Sequence, residues 1–337
     1  MKTLPIAVVG LLLLSSPPQA QQPKEPVPQV TFDAFLADLR VEALAKGISQ
    51  ATVDSTLTGL EPLAVVVTRD RAQPENTQSL DDYLKQRLTQ SRVSNGRTLA
   101  ATHKELLQKI EKAYGLSPPT MVSIWGMESN YGAFTGTYPT IAALATLAWD
   151  ARRPLFRAEL FEALKIVDSG KVEAANLKGS WAGAMGQPQF MPSSYLVHAV
   201  DFDADGLANI WTSLPDVFAS MANYLRNSGW QPGERWGREV RISKAAMARV
   251  DRSMPMRTGG CRAVREMTVA RPLTEWAKLG VVMSTGAKLP RSSSPASLVR
   301  GQNRHFLVYR NYEALLAYNC SHSYAITVGV LADRIAQ

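Results

Sequence analysis

SerProProThrMetValSerIleTrpGlyMetGluSerAsnTyrGly, Ser117 to Gly132, has the marks of one short helix. Ser117 is a favoured N-cap, and Pro118 stands at the first helical position, where the missing N–H has no partner to lose. Gly132 is expected to stop the helix. Between them Met121, Ile124, Trp125 and Glu128 fall at i, i+3, i+4 and i+7, which is one helical face. A carboxylate therefore lies among residues that should be buried. Such a group finds partners or takes up a proton with a raised pKa. The first outcome makes Glu128 a structural acid, and the second a candidate general acid. Periodicity alone leaves both open.

Outward from this helix, the pattern is mainly helical. Apolar spacing predicts helices over Phe32–Leu60, around Leu80, Tyr83, Leu84 and Leu88, and over Asn95–Tyr114. Further helices are expected over Pro139–Asp150, Leu155–Asp168, Pro192–Val200 and Pro215–Asn227. After Trp236 short alternating runs replace them: Gly237–Ile242, Arg265–Ala270 and His305–Arg310 read as strands. Asn311–Tyr318 and Ser323–Ile335 return to helix. The expected fold class is mainly α (α+β). An N-terminal helical region covers 30–110, a helical core 111–236 and a small inserted β domain 237–310. Helices in 311–337 return to the core.

Leu177–Pro192 breaks the helical texture. Three glycines with Trp181, Gln187, Gln189 and Phe190 suit a loop lining a groove, where backbone approaches a ligand closely. An irregular structural loop is the plainer alternative. Asp201, Asp203, Asp205 and Gly206 occupy positions 1, 3, 5 and 6 of a calcium-binding EF-hand loop, with Leu207 able to offer its carbonyl. Position 12 is Thr212, which cannot chelate; Asp216 could serve in a longer loop. Structural calcium and a metal-free Asx-turn loop both fit. His103, His198, His305 and His322 have no zinc-ligand spacing, and no phosphate loop or dinucleotide fingerprint is present, so no organic cofactor is expected.

The N-terminus reads as a secretory signal. Lys2 is the positive region, Leu4–Leu14 an apolar run of about eleven residues, too short to span a bilayer, and cleavage is expected after Ala20. An uncleaved anchor is the alternative. Residues 21–29 are a Pro-rich linker. The first cysteine is Cys261, so no lipid or membrane anchor is expected. The expected location is periplasmic, for an exported, soluble protein. There, Cys261 and Cys320 suit one disulfide, two buried thiols being the alternative. Composition, at 45% hydrophobic and 20% charged, is that of a folded globular chain. The net charge of +8 favours an anionic polymer as partner, or serves only solubility. No basic run or zinc-finger spacing supports nucleic acid. Peptidoglycan carboxylates suit the compartment.

TrpGlyMetGluSerAsnTyrGly, LysGlySerTrpAlaGlyAlaMetGly, GlnPheMetProSerSerTyr, AlaAsnTyrLeu and TyrAsnCysSer occur in that order. With them the chain resembles the lytic murein transglycosylase B family over about residues 30–335. The resemblance implies a lysozyme-like helical core with an added helical region and a small β domain. It implies cleavage of the β-1,4 bond between N-acetylmuramic acid and N-acetylglucosamine, without water, to leave 1,6-anhydromuramoyl ends. Glu128 matches the family's single catalytic acid. Ser180, Gln189, Tyr224, Tyr318, Asn319 and Tyr324 match substrate-binding positions, and Tyr83 a further one. A core role is the plainer alternative for each tyrosine. Peptidoglycan glycan strands are the implied partner, with cell-wall synthesis or remodelling complexes as further ones. A hydrolytic muramidase would instead need a second carboxylate, for which Asp150, Glu159 and Glu162 are available. A non-catalytic peptidoglycan-binding protein would have no need to bury an acid.

Overall fold

The structure, a computed structural model, describes residues 30–72, 78–150 and 154–337. The expected signal (1–20) and linker (21–29) lie outside the described residues. Two helical cores and a sheet make up the rest.

The first core gathers α1 (Phe32–Ala45), α2 (Gln50–Leu57) and α3 (Ala64–Arg71) onto α8 (Thr140–Trp149), α9 (Leu155–Asp168) and α10 (Pro192–His198). Leu39, Val53, Leu144, Leu160 and Phe190 are at its centre. The second gathers α4 (Leu80–Arg87), α5 (Gln90–Thr102), α6 (Lys104–Tyr114) and α7 (Pro118–Ser129). Onto these pack α11 (Leu214–Asn227), α15 (Arg310–Tyr318) and α16 (His322–Ile335). The N-terminal helices are thus shared between two cores rather than forming one of their own. Asn95–Tyr114 is two helices, not one. The chain turns at His103 (φ −101°, ψ 19°), and this puts the imidazole edge-on to Trp125 and near Phe218. Packing of that ring outweighs the continuity of the apolar pattern.

Five antiparallel strands follow the order β4 (Arg271–Pro272), β6 (Pro295–Arg300), β7 (His305–Val308), β3 (Gly237–Arg241) and β5 (Val282–Met283). Residues alternate across the sheet: Leu298 and Leu307 face α12 (Lys244–Ser253) and α14 (Leu273–Lys278), while Val299, Phe306 and Val308 face the second helical core. The central strands are covered on both faces, so β6 carries no polar alternation for a sequence pattern to show. Arg265–Ala270, expected as a strand, is not one. It ends α13 (Arg262–Arg265) and then makes an isolated bridge from Thr268 to Met256. Its alternation has another source: Met267 and Thr268 are buried while Arg265 and Glu266 are solvated. Cys261 and Cys320 form a disulfide, with Cα atoms 6.4 Å apart across a separation of 59 residues. It ties α13 to the turn between α15 and α16.

Candidate active site

Helix α7 positions Glu128. It packs on α16, α5, α6 and α11, and Thr120 to Gly126 are all buried. No apolar stripe distinguishes this helix, because it is covered on every side. The Ser117 side chain bonds Thr120 Oγ1 at 2.9 Å instead of capping a backbone N–H. Ser123 Oγ donates to the Val328 carbonyl at 2.7 Å, fixing α7 to α16. The helix stops at Ser129, not at Gly132: Asn130 and Tyr131 both take left-handed backbone (φ 50° and 62°). Tyr131 folds back so that its hydroxyl donates to the Arg92 carbonyl at 2.7 Å. A Cβ on Gly126 would meet the Tyr131 ring at 2.5 Å, so only glycine leaves room for this return. Glu128 is left in the last turn, half-buried.

Its carboxyl is pushed up to about 7 by burial. Tyr324 works against this: its hydroxyl, turned to the carboxylate, favours the charged form. That hydroxyl is otherwise unpartnered and does not reach full hydrogen-bond geometry. Tyr324, Tyr318 and Tyr83 lie close enough to feel the Glu128 charge, which with burial raises the pKa of each. Among the described residues no other carboxylate acts on Glu128. Asp150 pairs with Arg71 at 2.9 Å, and Glu162 with Lys165 at 2.8 Å. Glu159 accepts from the Ser193 N–H and hydroxyl, at the start of α10.

The Gly-rich loop is folded by short bridges. β2 (Lys178–Gly179) pairs with β1 (Tyr138–Pro139), and Met185 bridges to both Gly179 and Phe190. Gly136 (φ +88°) crosses so closely that a Cβ there would collide with the Gly179 carbonyl carbon. Trp125 Nε1 donates to Gln187 Oε1 at 2.6 Å, joining the loop to α7. Ser180 accepts from the Ala184 N–H at 3.1 Å. Gln189, at φ +52°, donates to the Thr135 and Gly186 carbonyls. Tyr318 donates to the Pro188 carbonyl and Tyr224 to the Ala317 carbonyl, each at 2.7 Å. The rings of Tyr224 and Tyr318 sit 4.8 Å apart and pack against both helical cores, so they mark the seam between them. Asn319 is exposed at the end of α15. Sequence reasoning missed Arg87, which stacks over Tyr83 at 5.5 Å, and His198, 4.4 Å from Tyr224. No local motif signals either contact.

In the acidic loop, carboxylate oxygens of Asp201, Asp203 and Asp205 lie within 4.8 Å of one another. Asp216 is fully buried beside them, and its two oxygens accept from the Phe202 and Asn209 N–H groups. The Leu207 carbonyl accepts from Asn209. Three converging carboxylates are an all-oxygen donor set, which fits a hard divalent cation such as calcium.

The family model for the transglycosylase SLT domain matches residues 31–333. The chain belongs to that family. It is similar to the membrane-bound lytic murein transglycosylase B of Escherichia coli, 38% identical over 155 residues. That match covers 45% of this chain and spans less than half, 43%, of the E. coli protein. The fold matches SltB3 from Pseudomonas aeruginosa, solved in complex with NAG-anhNAM-pentapeptide, with TM-score 0.81 and 41% identity. The match covers 91% of this chain and 80% of that one. The E. coli lytic transglycosylase Slt35, solved in complex with calcium, matches with TM-score 0.72 and 28% identity over 90% of this chain and 92% of its own. Like these matched structures, this chain has a lysozyme-like helical body carrying a small sheet. No described helix is long and apolar enough to cross a membrane.

Proposed function

We propose that this SLT-domain protein is an exported lytic transglycosylase acting on peptidoglycan glycan strands. It cleaves the β-1,4 bond between N-acetylmuramic acid and N-acetylglucosamine. The observation that carries the proposal is one carboxyl group, pushed up to about 7 by burial among tyrosines, with no second carboxylate acting on it among the described residues. Protonated Glu128 donates its proton to the glycosidic oxygen as the bond to the muramoyl C1 breaks. The substrate's 2-acetamido group stabilises the positive centre. The Glu128 carboxylate then takes the proton from the muramoyl 6-hydroxyl as that oxygen attacks C1. The 1,6-anhydro ring closes, the acid is regenerated and no water is consumed. A hydrolase of the usual kind would need a second carboxylate to hold a water. A pKa of about 7 suits both halves of this cycle.

Tyr83, Tyr224, Tyr318 and Tyr324 border the sugar site, the Tyr224 and Tyr318 hydroxyls being held by backbone carbonyls, and Ser180, Gln189 and Asn319 supply polar contacts. The net charge, +8 for the full chain and +7 once residues 1–20 with Lys2 are removed, draws it to the anionic wall. Asp201, Asp203 and Asp205 would hold calcium, whose charge offsets their repulsion and braces the junction of α10 and α11. Glu128→Gln tests the central assignment. Release of soluble fragments from purified peptidoglycan should be lost while binding to the insoluble polymer and the folded circular-dichroism spectrum persist. Retained turnover would sink it.

A further inference from the structure

A cavity of about 500 Å³ lies where the sheet meets the helical body, and it shares no residue with the Glu128 cluster. That is the size of a small-molecule site. Arg235, Arg238 on β3 and Arg310 in the first turn of α15 line it, against one acid, Glu234. Arg235 is in an exposed pair with Asp333 at 3.6 Å. Arg238 and Arg310 make no ion pair among the described residues. The Arg238 guanidinium lies over the ring of Tyr309, 5.4 Å from its centroid.

Tyr309 adds a polar group to the cavity wall. It is only 8% exposed, and its buried hydroxyl, turned to the Arg238 guanidinium, does not reach full hydrogen-bond geometry. The Arg238 Nε is buried without a partner. Buried donors left unsatisfied are costly and uncommon. α15 also begins here with no side-chain cap, so its first N–H groups add partial positive charge. A carboxylate answers this set: it accepts two parallel bonds from a guanidinium and further bonds from a hydroxyl or N–H. Leu273 adds an apolar wall suited to an aliphatic neighbour of that carboxylate.

We propose that this cavity binds the free carboxylate end of a short peptide, of the kind borne by peptidoglycan stems, at a site separate from the glycan-cleaving groove. The choice of peptide rests on the peptidoglycan reading above. Such a site would hold cross-link-free stems while the groove works on the glycan.

Calorimetric titration of the full chain tests it. The probes are an acetylated dipeptide ending in a D-alanine carboxylate, the same peptide as its C-terminal amide, and inorganic phosphate. The acid should bind wild type and Glu128→Gln equally, and the amide and phosphate should bind roughly ten-fold or more weakly. Tyr309→Phe and Arg310→Gln should each weaken the acid by a similar factor and leave cleavage of peptide-free glycan oligomers unchanged. Equal binding of acid and amide, tighter binding of phosphate, or full binding by both variants overturns the proposal. A protein that binds the acid but cleaves no glycan would contradict the catalytic assignment and leave this one standing.

Discussion

Glu128→Gln should make the protein more stable above neutral pH while abolishing its activity. Burial holds the folded-state pKa at about 7, against 4.5 for the free side chain. Between those values the native chain keeps a proton that the unfolded chain has released. The native state is therefore favoured most below pH 4.5, and this contribution is lost as pH rises toward about 7. A shift of about 2.5 units at 1.36 kcal/mol each amounts to about 3 kcal/mol of instability at alkaline pH. Glu128 is partly accessible, and screening by water makes that an upper limit. Gln has nearly the same shape and does not titrate. For a chain of this size each kcal/mol moves the melting temperature by roughly 1.5 °C. Melting curves of both proteins across about pH 4 to 9 should show the variant gaining several degrees on wild type through the window. Other titrating groups are common to both and cancel in the difference. A difference that does not change with pH, or shrinks as pH rises, would refute the buried-acid argument.

Three further outcomes follow from the same geometry. Tyr324→Phe removes the one group that favours the charged form of Glu128, so the alkaline limb of the kcat/KM profile should move up by about one pH unit; an unmoved limb would exclude this coupling. If Asp201, Asp203 and Asp205 hold calcium, a chelator should lower the melting temperature and added calcium restore it, and Asp203→Asn should blunt both responses; no response in wild type would remove the metal. Gly136→Ala puts a Cβ into the Gly179 backbone at φ +88° and should cost about 2 kcal/mol or more in denaturant unfolding, whereas a neutral result would mean the Gly-rich loop is looser than described.

Much of this architecture was legible because helices announce themselves locally. Leu155–Asp168 was expected and found with the same limits, and the change of texture after Trp236 marked the sheet. What was hidden depends on contacts distant in sequence. Trp125 is joined to Gln187 across 62 positions, and His103 turns one helix into two to seat its ring beside Trp125 and Phe218. Strand β6 was invisible because both its faces are covered. Glu128 was singled out by an apolar stripe that the buried helix does not really have. Burial, not facial asymmetry, raises its pKa. Tyr83 had the weakest motif match, yet it lies near the carboxyl because α4 packs against α16.

The central claim is that one carboxyl group serves as acid and then base with no water consumed. Mass spectrometry of the muropeptides released from purified peptidoglycan tests it most directly. Fragments ending in 1,6-anhydromuramic acid, about 18 Da lighter than their hydrated counterparts because one water is missing, are the expected product. Fragments with reducing muramic acid ends would contradict the claim, because they would show that a water attacks C1 and that Glu128 does not act alone.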